Sequence, residues 1–479
     1  MSVRRRGKGQ RVQAPLKNRK LVAWAWITLV WFLILALQSP ASATQQGPLN
    51  AQRTAASQPQ ATSLNQLVEE AERDNPEILA ARRAWQASTQ VPSQVSTLPD
   101  PQVQVQQFNV GSPRPFAGFT NSNFAYVGLG VSQDLPYPGK LRLRGEIAGR
   151  KSAAMRDEYT GIERDVVERV KVAYFRLAYI QRAGDVLHRD LNLLREVEAI
   201  TEARYRLGQG NQQDILKAQL NETKILGEIE VNDQQRESLE ANLHQLLDQP
   251  PDSPDIVAET ITETPLPYSS DELLALVRQQ NPQVRAQQEA VRGAGLQVDL
   301  ARKDFYPDFN VQFMWQRTDP EKFRAYYMLT FGMKLPIYFA RRQRPELAES
   351  VEELNASRRQ YEAGVQQAYF DVRDQYIKAQ TDANLLKIYQ QGLIPQAAST
   401  FSAGMAAYQA GREDFQTLLS SFLDVLHLDL GYWSTLAEHE TSLARIQQLT
   451  GIRVHQDPDP VSRANAANSS VAVVTLRNR

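Results

Sequence analysis

The chain has no cysteine, six methionines and five histidines among its 479 residues, and no long apolar run after Leu37. Each shortage excludes something. Without cysteine there are no disulfides and no lipid-modified cysteine of the lipoprotein kind. With few methionines as well, nothing supports a soft-metal ligand set. His188, His244, His427, His439 and His455 are scattered, and the two that share a helix, His427 and His439, stand too far apart to lie side by side. No HExxH, CxxC or GxSxG occurs, and Gly139-Lys140 lacks the upstream glycine and the following Ser or Thr of a phosphate loop. Acid-rich helices supply carboxylate pairs by chance, so none is singled out as acid and base. No catalytic, cofactor-binding or metal-binding residue is assigned, and an enzyme is not expected. Without an apolar run after Leu37, a membrane location has to be that of a β-barrel, the other structure that satisfies its backbone in lipid.

Residues 1–43 read as a bacterial secretory signal. Arg4, Arg5, Arg6, Lys8, Arg11, Lys17, Arg19 and Lys20 precede the apolar run Leu21–Leu37, and Ala41 and Ala43 occupy the small-residue positions of a cleavage site. The other reading is an uncleaved anchor, since the run reaches the short limit of the roughly 17 to 25 residues that span a bilayer. The 54 basic and 54 acidic residues balance over the full chain; removing the eight signal cations leaves an acidic protein, which argues against a nucleic-acid partner.

Proline is absent from Leu141 to Leu207, where apolar residues recur at helical spacing. A helix of that length reaches about 100 Å, more than a compact globule needs. Val166, Val170, Ala173, Leu177, Ile180, Leu187, Leu191 and Leu194 form a coiled-coil seam, interrupted at Gly184. A second rod, from about Arg342 to Ala410, ends on Tyr408-Gln409-Ala410-Gly411 as the first ends on Tyr205-Arg206-Leu207-Gly208. Pro395 is expected to kink the second rod, and Asn192 at the aligned position leaves the first straighter. Gly208 and Gly411 sit where a helix end wants a left-handed residue, and helices return over Asp214–Leu247 and Asp414–Leu449.

Other features recur too. Ser63 caps a helix broken at Asn75-Pro76, and Ser269 caps one broken at Asn281-Pro282. Each is followed by two alternating segments, Val103–Gln106 and Val127–Ser132, then Phe309–Gln316 and Tyr327–Leu335, with large apolar residues on one face and mostly Gln, Asn, Gly, Ser or Thr on the other. Leu135-Pro136 and Leu335-Pro336 end the second of each pair. Two soluble hairpins are one reading. The other is barrel strands, which four alone cannot close because bacterial barrels start at about eight, so three chains would have to supply twelve. The division is a signal at 1–43, a flexible lead-in at 44–62, one repeat at 63–248, a linker at 249–268 that begins Gln249-Pro250-Pro251, a second repeat at 269–451, and a disordered tail at 452–479.

This order of parts resembles the TolC-type outer-membrane efflux proteins over about Ser63 to Gly451. The resemblance implies a mixed α and β fold, mainly a long helical coiled-coil barrel with a β-barrel: a homotrimer sharing twelve strands in the outer membrane and a twelve-helix tunnel in the periplasm of a Gram-negative-type bacterium. The implied role is a passive exit duct of a tripartite efflux or type I secretion system, docking on a periplasmic adaptor and an inner-membrane pump. Tyr205, Leu207, Gly208, Gln209, Asn211, Tyr408, Gly411, Arg412, Glu413 and Asp414 match the family's adaptor-docking tips. Studied members carry gate aspartates six and nine residues beyond the second tip glycine, where this chain has Thr417 and Ser420; Asp214, six beyond Gly208, keeps an acid. Leu135–Lys140 looks mildly like the cation-efflux branch, and the cargo stays open. The alternative is a periplasmic coiled-coil scaffold or adaptor held by an uncleaved N-terminal helix.

Overall fold

The computed structural model describes residues 61–108, 126–317 and 325–453, all within Pro59–Arg479, the second of two units into which the chain divides. The expected signal peptide, the lead-in up to residue 60, the loop tips at Gly111–Gly118 and Asp319-Pro320, and the tail from 454 lie outside the described residues.

The first half contains α1 (Leu64–Asp74), α2 (Pro76–Ser88), α3 (Val91–Ser96), β1 (Gln102–Phe108), β2 (Tyr126–Leu135), α4 (Lys140–Arg206) and α5 (Gln212–Leu246). The second contains α6 (Ser270–Gln280), α7 (Pro282–Lys303), β3 (Asp308–Arg317), β4 (Tyr326–Lys334), α8 (Gln343–Ile388), a π-helical turn (Tyr389–Leu393), α9 (Ile394–Gln409) and α10 (Phe415–Thr450). The described residues are therefore mostly helical, with one four-stranded antiparallel sheet in the order β1-β2-β3-β4.

Local chemistry explains the helix ends. Ser63 and Ser269 each form a capping box, with Gln66 and Glu272 respectively. Asn75 accepts from the N–H groups of Glu77 and Ile78 at 2.9 and 3.2 Å and donates to the Leu246 carbonyl at 2.8 Å. Asn281 accepts from Val284 N–H at 3.1 Å and donates to the Leu449 carbonyl at 3.2 Å. Each asparagine thus satisfies the start of one helix and the end of another, which the asparagine side chain can do because it both accepts and donates. The proline that follows costs nothing there, since its missing N–H would have been unpaired anyway.

α4 runs 67 residues without interruption. Its seam is buried against α5 and α10, with α1 and α2 at the end nearer the sheet, and Gly184 lies where a Cβ would come 3.0 Å from the Asn232 amide of α5, so the gap in the seam is a close approach. The second rod behaves differently from a simple proline kink. Pro395 starts α9, and its ring conflicts with the carbonyl four residues earlier. That residue is inside the π-helical turn 389–393, which absorbs the conflict by widening one turn.

The segment joining the halves is strapped down. Gln181 donates to Ile256 O at 2.7 Å and accepts from Ala258 N–H at 3.0 Å; Tyr174 accepts from Glu259 N–H at 2.9 Å and donates to Thr62 O at 3.1 Å. Thr62 bridges Ala258 in parallel. His439 stands between the carbonyls of Ala379 and Thr264, at 3.0 and 2.9 Å. At the other end the chain stays packed one residue further than expected, because Ile452 is buried in the cluster of α6, α8 and α10.

Lys171 of α4 is one of the charged side chains buried in the helical layer, and it donates to Gln447 of α10 at 2.7 Å. Burial pulls its ammonium down to about 8 from the ordinary 10.5, against a weak opposing pull from Glu72. Between those two values the unfolded chain binds more protons at this site than the folded one. The site therefore costs stability at and below pH 8, and the cost is relieved as pH rises toward 10.5. Lys171→Met is expected to raise the thermal midpoint at pH 7 and to flatten stability between pH 8 and 10. Thermal scans of both proteins across that range check it.

Candidate functional site

The two rods end in the same backbone motif. After α4, Gly208 adopts φ +72°, its N–H donates to Tyr205 O at 2.9 Å, and Gln209 N–H donates to Arg204 O at 2.9 Å. After α9, Gly411 adopts φ +73°, its N–H donates to Tyr408 O at 3.0 Å, and Arg412 N–H donates to Ala407 O at 2.9 Å. Both are Schellman ends, in which a left-handed residue lets two trailing N–H groups satisfy the last carbonyls. Only glycine enters that conformation without steric cost, which explains why a glycine follows each tyrosine by three.

The return helices start unequally. Asn211 precedes α5 without a side-chain cap bond. Asp414 caps α10: its carboxylate accepts from Thr417 N–H at 3.0 Å and from the Thr417 hydroxyl at 2.8 Å. The Thr417 backbone N–H, and then its hydroxyl, hold the Asp414 carboxyl below the usual carboxylate range. Thr417, at a position where gate acids were expected by resemblance, is thus engaged in a cap. Ser420 is exposed one turn further on, and Asp214 is half-buried in the first turn of α5.

The tips are joined to each other. The Arg204 guanidinium lies 4.3 Å over the Tyr408 ring and donates to the Tyr408 carbonyl. The Tyr408 hydroxyl donates to Thr201 at 3.1 Å, and its ring leans on Phe415 at 6.1 Å. Lys217 donates to Gln416 at 2.7 Å, linking the two return helices. Tyr408 is consequently buried, whereas Tyr205, its aligned counterpart, is exposed. Tyr205, Leu207, Gly208, Gln209, Asn211, Gly411, Arg412 and Asp414 present an exposed surface, with Glu413 half-exposed among them. The pattern of motifs did not single out Thr201 or Arg204. Their partners stand about 200 residues away, and no local spacing marks them.

This arrangement caps two rod ends and turns the chain back. Among the described residues no group of three or more His, Cys, Asp or Glu is placed to hold a metal ion, and none of their helices is long and apolar enough to cross a membrane. Tyr408→Phe is expected to cost about 1 kcal/mol locally by removing the bond that the buried Thr201 hydroxyl accepts, while Thr201 still donates to Val197 O at 2.8 Å. Hydrogen exchange should accelerate across 401–409 in that variant and stay unchanged in Tyr205→Phe, whose hydroxyl makes no such bond.

Comparison with known proteins agrees with this geometry. The family described as "Outer membrane efflux protein" matches residues 67–249 and 273–425. The outer-membrane channel OprN is 18% identical, with 81% of this chain and 89% of that one covered at a TM-score of 0.70. VceC from Vibrio cholerae is 18% identical, covering 81% and 96% at a TM-score of 0.69. The open state of the MtrE channel of Neisseria gonorrhoeae is 19% identical, covering 81% and 88% at 0.68. At such identities the likeness is one of fold. No curated protein matches the chain. The family match spans well over half of the residues, and with it the resemblance carried by the paired Asn-Pro, Leu-Pro and Tyr-x-x-Gly motifs is confirmed: the chain belongs to the outer membrane efflux protein family.

Proposed function

We propose that this protein is the outer-membrane channel subunit of a tripartite efflux or type I secretion system, built from two copies of one structural unit and working as a trimer. The observation that carries the reading is the inverted sheet. Val103, Val131, Phe313 and Leu329 stand side by side across the four strands on one face, as do Val105, Leu129, Trp315 and Tyr327, and all eight are exposed. The opposite face carries Gln102, Ser132, Gln312 and Thr330 in one row and Gln106, Gly128, Gln316 and Tyr326 in another. A soluble hairpin pair would bury the apolar rows. A barrel wall in lipid turns them outward and lines its lumen with amides, small residues and hydroxyls. Covering a Val, Leu or Phe fully with hydrocarbon is worth about 1.5–3 kcal/mol per side chain.

In this reading three chains contribute twelve strands to the barrel and their long helices form a periplasmic tunnel. The exposed tip residues Tyr205, Leu207, Gly208, Gln209, Asn211, Gly411 and Arg412, with Glu413 and Asp414, meet a periplasmic adaptor, and an inner-membrane pump supplies the energy. Tyr408 serves the docking end from within, by holding the second rod against Arg204. Asp214 is the acid left at the constriction, with Thr417 and Ser420 as neutral neighbours. Opening consists of separating the tip helices, and the Arg204–Tyr408 contact is what such a movement would strain.

Outer-membrane fractionation together with planar-bilayer conductance tests the reading. A heat-modifiable trimer with channel activity is expected; a soluble monomer without conductance overturns it and favours a periplasmic scaffold. Gly208→Pro and Gly411→Pro are expected to impair efflux while leaving trimer assembly intact, because the left-handed turn excludes a ring fixed near φ −65° while the sheet lies at the far end of the rod. Wild-type tolerance of toxic cargo in both variants counts against the tips as the docking end.

A further inference from the structure

The polar face of the sheet carries charge at the end where the rods begin. Asp308 and Lys334 stand opposite each other there, in the same register that pairs Gln312 with Thr330, so both belong to the amide and hydroxyl side rather than the apolar one. Beside them the turn leaving β4, the turn between α7 and β3 and the starts of α4 and α8 line a cavity of about 520 Å³.

The charges of this cavity are divided unequally. Lys140 lies 2.9 Å from both Asp304 and Asp308, and Tyr137 N–H donates to Asp308 at 2.9 Å, so these two acids are already occupied. Arg144, Lys334 and Arg342 line the same cavity, are exposed, and form no ion pair with a described residue. Against them stands one further acid, Glu346. Both long rods start here and neither start has a side-chain cap, so the positive ends of two helix dipoles add to the potential of the cations.

The rest of the wall is apolar or aromatic. Leu335, Ile337 and Tyr338 are exposed along it, and so is Tyr306, whose ring stacks on Tyr137 at 4.6 Å. Gln343, also a lining residue, is buried, and its Oε1 has no hydrogen-bond partner. No bond holds that oxygen in place, so the amide is free to turn an N–H or its oxygen to a ligand.

We propose that this cavity is a subsite for amphipathic organic anions, and that such anions are the class of cargo the protein passes. The two parts of the wall match the two parts of that ligand: Arg144, Lys334 and Arg342 receive a carboxylate or sulfonate, and Ile337, Tyr306 and Tyr338 cover an apolar body. An inorganic anion would use the cations and leave the apolar wall wet, and an organic cation would meet three unpaired charges of its own sign. The volume suits a drug-sized molecule, since ligand pockets span roughly 300–1,000 Å³. The inference rests on the channel reading above, which turns the polar face of the sheet, and with it Asp308 and Lys334, toward the lumen. It adds the charge and the shape of what is carried.

Equilibrium dialysis of the purified full-length protein in an uncharged detergent tests this, with uptake by protein-free micelles subtracted. The probes are naphthoate, the cation naphthylmethylammonium with a similar body, and inorganic phosphate, an anion without one. Naphthoate is expected to bind once per chain and roughly tenfold more tightly than either of the others. Lys334→Glu with Arg342→Glu should weaken it by roughly tenfold, whereas Lys224→Glu with Arg358→Glu, the same charge change on exposed residues elsewhere, should leave it within about twofold. Arg144→Gln should weaken it by about threefold, and it decides the matter if the first double variant loses the wild-type oligomeric mass. Equal affinity for naphthoate and its cationic analogue, equal affinity for phosphate, or equal losses in the two double variants overturns the inference; the channel reading then stands if the protein conducts in planar bilayers. A soluble monomer without conductance defeats the channel reading and the luminal subsite with it.

Discussion

A strand edge in lipid has no water to satisfy its N–H and C=O groups, and an apolar sheet face in water has nothing to cover it. This chain has both: a four-stranded sheet whose two edges are open and whose large side chains point outward. No described element of the same chain relieves either condition. In the proposed reading, membrane insertion together with closure by further copies relieves both at once; the family to which the chain belongs is one of outer-membrane efflux proteins.

The helical part obeys a related economy of satisfied backbone. A rod of 67 residues has only two ends to satisfy, and both rods finish in a glycine that lets trailing N–H groups close the last carbonyls. The asparagines at 75 and 281 do the same work where four further helix ends meet. Packing then follows from the seam, with α4 as the element against which α5, α7 and α10 all lie. Among the charges inside this layer, Lys171 reaches Gln447, and Glu168, its carboxyl pushed up by burial, faces Arg445 at 3.3 Å.

The two halves differ at their tips. Tyr205 and Tyr408 occupy aligned positions, yet one is exposed and the other is buried beneath Arg204. Asp414 caps its helix through Thr417, whereas Asn211 leaves its own helix without a side-chain cap. A tip built this way has one firmly held rod end and one open one.

Much of the fold was written in local spacing. The strands start within one residue of where alternation begins, and the breaks at Asn75-Pro76 and Asn281-Pro282 and the turns at Gly208 and Gly411 follow from what those residues do to their own backbone. The tip surface was legible only as a place, because exposure depends on what arrives from elsewhere in the chain. Burial of Tyr408, the grip of Lys140 on Asp304 and Asp308, the strap held by Gln181 and Tyr174, and the burial of Ile452 each join residues far apart in sequence, and no period records them. The π-helical turn at 389–393 lies between these cases: Pro395 announces a conflict, and the packed rod decides that one widened turn absorbs it. The sequence by itself determined the elements, their ends and the apolar side of each strand, since these depend on neighbours within a few residues. Tertiary structure decided which of those faces found partners within the chain and which were left open, since that depends on the three-dimensional path that brings distant residues together.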